Sequence, residues 1–426
     1  MKQVLEVWID CDLCPLQPLG MLAHDRGQVR FHYDPRWLAQ RDIAFAIDPQ
    51  LSLDAAPFFP KSETGNFGIF LDSSPDRWGQ TLMRRREALL AKDNNRPART
   101  LYPWDFLLGV QDLTRQGALR FRLNGSEAFL AHEDLAAPPV TCLAELADIA
   151  RELTRKNLND LNKLRRWLAV LVAPGASLGG ARPKANFCEN DGTLWIAKFP
   201  AHEDDRDMGA WEWVTWKLAD KAKVSVPLAR LERFIPRGHH TFCVKRFDRR
   251  DRARRFYASA MTLLEKDVSE GTSYIELAEF LANHGDPHFI PADLEQLFRR
   301  VAFNVAVGNR DDHLRNHGFI LEQKGWRLSP AFDINPNIDK GEHVLNIDEV
   351  DNRPSLDLVL ATADFYRVDQ TRARAIVDEV VAAVDAWRTV ASQTGISRAD
   401  IELTASAFSA HAEFKGVSKH PRQPAA

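Results

Sequence analysis

The chain has 426 residues, 45% of them hydrophobic and 27% charged, with a formal net charge of −3. That length supports two or three packed units, and the near-neutral charge argues against nonspecific nucleic-acid binding as the main role. No window approaches about 18 uninterrupted apolar residues, and MKQVLEVWIDCDLC lacks a basic segment followed by a long apolar one, so no membrane span or leader is expected and the expected compartment is the cytoplasm.

In chain order, residues 1–125 read as a mixed α/β unit. Strands are expected at VLEVWI and QVRFHY, and an amphipathic stretch, PDRWGQTLMRRREALLAK, begins at Pro75. Five scattered cysteines make no disulfide framework. Cys11-x-x-Cys14 has no second CxxC or HxxxH partner, so the pair is expected to be two small residues in a turn rather than half of a zinc site. A second unit, 126–250, carries a helix over Leu143 to Leu153 and an apolar stripe at Leu161, Leu164, Leu168 and Leu171. Then comes the glycine-rich PGASLGGARPKANF, followed by a hairpin in which KANF and TLWIAKF flank the turn Asp191-Gly192. Residues 251–420 favour helices. In PADLEQLFRRVAFNVAVGN, Leu294, Leu297, Phe298, Val301, Ala302 and Val305 recur at helical spacing and predict a helix ending near Gly308. Residues 421–426 read as a disordered tail.

The sequence GNRDDHLRNHGF, residues 308–319, therefore sits at the C-terminal end of a buried helix. Within it Asp311-x-x-x-x-Asn316 separates a carboxylate from an amide, and Asp333 follows in LSPAFDINPN after a predicted hairpin around Gln323-Lys324-Gly325. Phosphoryl transfer of the kinase type needs an Asp to orient and deprotonate the acceptor hydroxyl, an Asn for one Mg²⁺ and a second Asp for the ion that bridges the phosphates. Asp311, Asn316 and Asp333 fill these roles, with His313 two residues after the proposed base. Such a spacing also arises by chance in solvated loops. His284-Gly285-Asp286-Pro287-His288 begins in a similar way but has Pro291 where the Asn should be.

A kinase also needs a strand lysine and a phosphate-covering loop upstream. Lys198 interrupts the apolar face of Leu194 and Ile196, which suits either a phosphate-pairing lysine or one snorkelling at a sheet edge. The loop 175–180 precedes it and fits neither a Walker A nor a GxGxxG pattern. Glu212 is the natural partner for Lys198, although a surface role suits it equally.

Taken together, SLGGARPK (177–184), IAKFP (196–200), VKRFDR (244–249), YASAMTLL (257–264), GNRDDHLRNHGF and SPAFDI (329–334) resemble the HipA family of bacterial serine/threonine kinases, the toxin halves of toxin–antitoxin pairs. The N-terminal YDPRWLA (33–39), LDSSPDRWGQTLM (71–83) and QGALRF (116–121) are similar to that family's N-terminal subdomain, so the resemblance covers most of the chain.

The resemblance implies an α+β, protein-kinase-like fold of two lobes, with an added N-terminal α/β subdomain and a mostly helical C-terminal lobe. It implies ATP and Mg²⁺ as cofactors, Asp311 as base, Asn316 and Asp333 as metal ligands, and Lys198 on the phosphates. Gly179 and Gly180 would lie in the ATP loop, and Ser177 would be the loop serine that is autophosphorylated. Backbone groups of Lys245 and Phe247 would meet adenine, and Asp248 and His313 would lie near the ribose. Lys245 departs from the founding type, which is acidic there, but a backbone contact tolerates the change. The implied partners are a protein substrate, such as an aminoacyl-tRNA synthetase, and a helix-turn-helix antitoxin through which DNA is reached indirectly; no membrane partner is implied. A small-molecule kinase remains open, as does a noncatalytic corepressor, although the intact set of Lys198, Asp311, Asn316 and Asp333 weighs against the latter.

Overall fold

The computed structural model describes residues 3–61, 65–130, 137–154, 182–235 and 238–419. The glycine-rich loop with Ser177, Gly179 and Gly180, the apolar stripe from Leu161 to Leu171 and the tail 421–426 lie outside these residues. The chain forms two compact units, one of residues 1–204 and 232–267, the other of residues 205–231 and 268–426.

The first unit is built on two antiparallel sheets. Strand β1 (Gln3–Cys11) buries Leu5, Val7, Ile9 and Cys11 at alternate positions, the period-2 pattern of a strand with one face inward. It pairs with β2 (Cys14–Asp25), which pairs in turn with β3 (Gln28–Tyr33), and on its other edge with β4 (Leu119–Leu123). Cys11 and Cys14 face each other across the two-residue turn joining β1 and β2, with Sγ atoms 3.5 Å apart. Helix α1 (Arg77–Asp93) starts at Asp76, whose Oδ1 accepts from the Gly79 N–H at 2.8 Å while Oδ2 lies 3.0 Å from the buried Lys184 ammonium. Helix α2 (Leu143–Leu153) buries Leu143, Leu146, Ala147, Ala150 and Leu153 in one core with Trp78, Leu82, Phe187, Ala197 and Phe199. Each large apolar side chain so buried contributes on the order of 2 kcal/mol.

The second sheet carries β5 (Lys184–Cys188), β6 (Leu194–Lys198) and β7 (Thr241–Lys245) in that order. The β5–β6 hairpin closes as the sequence predicts, with Gly192 at φ 83°, where a β-carbon would be strained.

The second unit is mainly helical. Helix α3 (Met208–Lys221) is capped by Asp207, and α4 (Tyr274–His284) by a reciprocal pair in which the Ser273 hydroxyl accepts from Glu276 N–H and the Glu276 carboxylate accepts from Ser273 N–H. Helix α5 (Ile290–Val307) forms the centre: Leu294, Leu297, Phe298, Val301, Ala302 and Val305 are all fully buried. It packs against α4 and against α6 (Gln370–Val384). Between α5 and α6 runs the hairpin β8 (Gly318–Glu322) and β9 (Gly325–Leu328). No helix among the described residues is long and apolar enough to cross a membrane.

Candidate active site

Helix α5 stops at Gly308, which has the left-handed conformation (φ 66°, ψ 39°) and turns the chain into the polar cluster. An added β-carbon there would meet the Ala407 carbonyl oxygen at 2.1 Å, so glycine is required on both conformational and steric grounds. The loop that follows hangs on Asp312. Its buried Oδ2 accepts from the Tyr274 hydroxyl at 2.6 Å and the Asn304 amide at 2.7 Å, and lies 2.7 Å from His317 Nε2. Burial pushes this carboxyl upward, but His317 and the hydrogen bonds outweigh it and hold it below the usual carboxylate range. Burial and the Asp312 charge together drive the Tyr274 phenol well above its ordinary value, so Tyr274 stays a donor.

With Asp312 anchored inward, its neighbour Asp311 faces out, with a 61% exposed side chain paired to the Lys340 ammonium. His313 begins a short 3-10 turn, Leu314–Asn316, whose Leu314 N–H donates to Ser269 Oγ at 3.1 Å. Asn316 closes that turn by donating its N–H to His313 O at 2.8 Å. Its side chain is 5% exposed, and its Oδ1 is buried without a hydrogen-bond partner among the described residues. Such an orphaned acceptor is costly unless something is bound to it. A hard divalent cation takes amide and carboxylate oxygens, so Asn316 Oδ1 fits the expected Mg²⁺ ligand.

Asp333 has φ 59°, an uncommon conformation for a residue with a side chain. Bonds on either side hold it there: Ala331 N–H donates to Ser225 O at 2.8 Å, and the Thr215 hydroxyl of α3 donates to Ile334 O at 2.6 Å. Helix α3 also carries Glu212, 7% exposed.

In the first unit, Lys198 ends β6 half-buried, its ammonium 6.0 Å from the centroid of the Phe242 ring. Lys245 ends β7 opposite Trp195, and the Phe247 carbonyl accepts from Arg255 Nη1 at 3.3 Å. Asp248, expected near a ribose, is 1% exposed and bonded through Oδ1 to Arg246 and through Oδ2 to Arg246, Arg249 and Gly117 N–H. Burial pushes Asp248 up, yet the two guanidinium charges hold it far below its ordinary value. Arg246 reaches on to Thr114 O at 2.6 Å and Asn186 Oδ1 at 2.9 Å. Asp248 is thus the pin of a buried network that joins the segment after β7 to residues 114–117.

The sequence reasoning missed Asp312, His317, Arg246 and Lys340. Asp312 and His317 were visible as polar residues in the motif, but their inward direction depends on Tyr274 and Asn304, which lie elsewhere in the chain.

Residues 176–388 match the HipA-like C-terminal domain and residues 6–101 the HipA N-terminal domain. The chain belongs to the HipA family. Among curated relatives, a Shewanella oneidensis serine/threonine-protein kinase toxin HipA is 25% identical over 38% of this chain and 43% of its own. A Haemophilus influenzae protein, provisionally named a kinase, is 26% identical over 42% of this chain and 59% of its own. The chain thus spans about half the length of the curated relatives it matches. The HipA chain in a complex of Shewanella oneidensis HipA, HipB and operator DNA superposes with a TM-score of 0.65 at 16% identity, covering 97% of both chains. The fold is therefore that of HipA, an α+β, protein-kinase-like fold.

Proposed function

We propose that this HipA-family chain is an ATP- and Mg²⁺-dependent serine/threonine protein kinase that acts as the toxin of a toxin–antitoxin pair. The observation that carries the reading is the division of labour in one short loop: Asp312 buried as anchor, Asp311 presented outward, and Asn316 Oδ1 buried without a partner among the described residues. Asp311 accepts the proton of an acceptor hydroxyl as its oxygen bonds to the γ-phosphorus and the bond from that phosphorus to the ADP oxygen breaks. Asn316 and Asp333 would hold the divalent ion, which when bound supplies charge neutralisation at the phosphates. Lys198 is assigned to the phosphates, the backbone of Lys245 and Phe247 to adenine, and Asp248 and His313 to the ribose. Ser177 is proposed as the autophosphorylation site and Gly179 and Gly180 as part of the ATP loop; Glu212 is kept as the proposed partner of Lys198.

The acceptor we propose is a protein of the translation apparatus, an aminoacyl-tRNA synthetase being the family's precedent. The proposed restraining partner is a HipB-like helix-turn-helix antitoxin, through which the chain reaches DNA. Incubation with γ-labelled ATP, Mg²⁺ and a host extract tests this. Label is expected on a few proteins and on the peptide containing Ser177, and not with Asp311→Asn. Label confined to small metabolites would make the chain a small-molecule kinase, and unchanged labelling by Asp311→Asn would overturn the assignment of the base.

A further inference from the structure

We infer that Lys340 is a positioning residue for the catalytic carboxylate, holding Asp311 in the orientation from which it receives the acceptor's proton. The inference rests on the kinase reading above. Asp311 sits at the exposed end of its loop, and among the described residues its partner is the Lys340 ammonium. The two side chains are 61% and 42% exposed, and an ion pair so exposed adds little to stability. Stability alone therefore does not account for how firmly the backbone of Lys340 is tied down.

The ties run to the segment that carries Asp311. The Asn337 N–H donates to Gly308 O at 2.9 Å, and Asn337 Oδ1 accepts from the N–H groups of Asp339 at 3.0 Å and Lys340 at 2.8 Å. Arg310, directly before Asp311, donates through Nη1 to Lys340 O at 2.9 Å. Its Nη2 donates to Ser406 O at 3.2 Å and Ser409 Oγ at 3.1 Å. Arg310 is 6% exposed, so the clamp is an interior one. The lysine and the aspartate thus rise from one braced base, with the segment bearing Asp333 leading into it.

A carboxylate at the tip of a loop otherwise samples several rotamers, of which few place an oxygen towards an incoming hydroxyl. An ammonium delivered from a fixed backbone narrows that choice before the acceptor arrives. Lys340 acts through Asp311 and has no need to touch the substrate.

The test compares Lys340→Met, Lys340→Arg, Asp311→Asn and the Asp311→Asn/Lys340→Met double variant in the full chain. Turnover of γ-labelled ATP is measured together with calorimetric binding of Mg·ATP and thermal melting without nucleotide. Lys340→Met is expected to lower kcat on the order of 10- to 100-fold while KM for ATP, Mg·ATP binding and the melting point stay near the parent's. Lys340→Arg should recover most of the loss, and the double variant should be no slower than Asp311→Asn alone. Unchanged or faster turnover by Lys340→Met would overturn the inference, as would a loss accompanied by weaker Mg·ATP binding or a lower melting point and not rescued by Arg. Absence of ATP turnover in the parent would instead bring down the kinase reading itself, and full activity in Asp311→Asn the assignment of the base, so these failures are distinguishable from that of the inference.

Discussion

At the scale of single residues, Asp311 and Asp312 carry the same chemistry into opposite surroundings. Asp312 is 2% exposed and its Oδ2 gathers Tyr274, Asn304 and His317, so Asp312→Ala would leave buried polar groups without their partner. The expected loss is roughly 3–5 kcal/mol of stability, seen as a lower urea midpoint. Asp311→Asn should change stability by less than about 0.5 kcal/mol, as expected for an exposed position, and abolish transfer while leaving nucleotide binding intact. Asp333→Ala should weaken Mg·ATP binding as well, since it removes a proposed ligand of the ion at the phosphates. Calorimetry with Mg·ATP on both variants checks the contrast; equal affinity in parent and Asp333→Ala would remove Asp333 from the metal site. The D-x-x-x-x-N spacing was readable because it is local. Which of two adjacent aspartates turns inward was not, because Tyr274 decides it from a different helix.

At the scale of elements, the helix over residues 290–307 was legible from its apolar period, and its end at Gly308 from the usual place of glycine after a helix. The glycine's tight approach to Ala407 was not legible, since that contact forms between distant parts of the chain. Gly308→Ala is therefore expected to cost more than a helix cap alone, on the order of 3 kcal/mol, and to lower transfer by displacing the loop that starts there. Gly341, beside Lys340, has open space around its missing β-carbon, so Gly341→Ala should stay within about 0.5 kcal/mol of the parent. Urea unfolding and ATP turnover on the pair separate the two; an unaffected Gly308→Ala would show that the helix end is not what places Asp311. The hairpins at 184–198 and 318–328 followed from alternation and turn residues. The arginine network around Asp248 did not, because Arg246, Asn186 and the Thr114 carbonyl meet only after the sheets have formed.

At the scale of the whole molecule, two buried groups give the two units opposite responses to acid. In the second unit, burial lowers His343 to about 4 from 6.5, with the Asp312 charge acting against that shift. The unfolded chain then binds more protons than the folded one between these values, so this contribution is fully present above pH 6.5 and is lost as pH falls towards 4. His411, also lowered by burial, adds the same sign. In the first unit, burial raises Asp48 to about 6 from 3.8, although the N–H groups of Ile69 and Gln50 oppose it. The folded state binds the extra proton here, so stability is fully present below pH 3.8 and is lost as pH rises through 6. The depressed carboxyls of Asp112, Asp248 and Asp312 lose their contribution only below about pH 3.8, outside the interval from 7 to 5. Across that interval linkage gives a loss of about 2 kcal/mol from His343 and a gain of about 1 kcal/mol from Asp48. Hydrogen exchange read by mass spectrometry at pH 7 and 5, corrected for intrinsic rates, should show protection falling in residues 268–419 and rising in the first unit. His343→Gln should remove most of the first trend and Asp48→Asn most of the second. If both units move together, and the variants behave as the parent does, neither buried group governs the acid response of its unit.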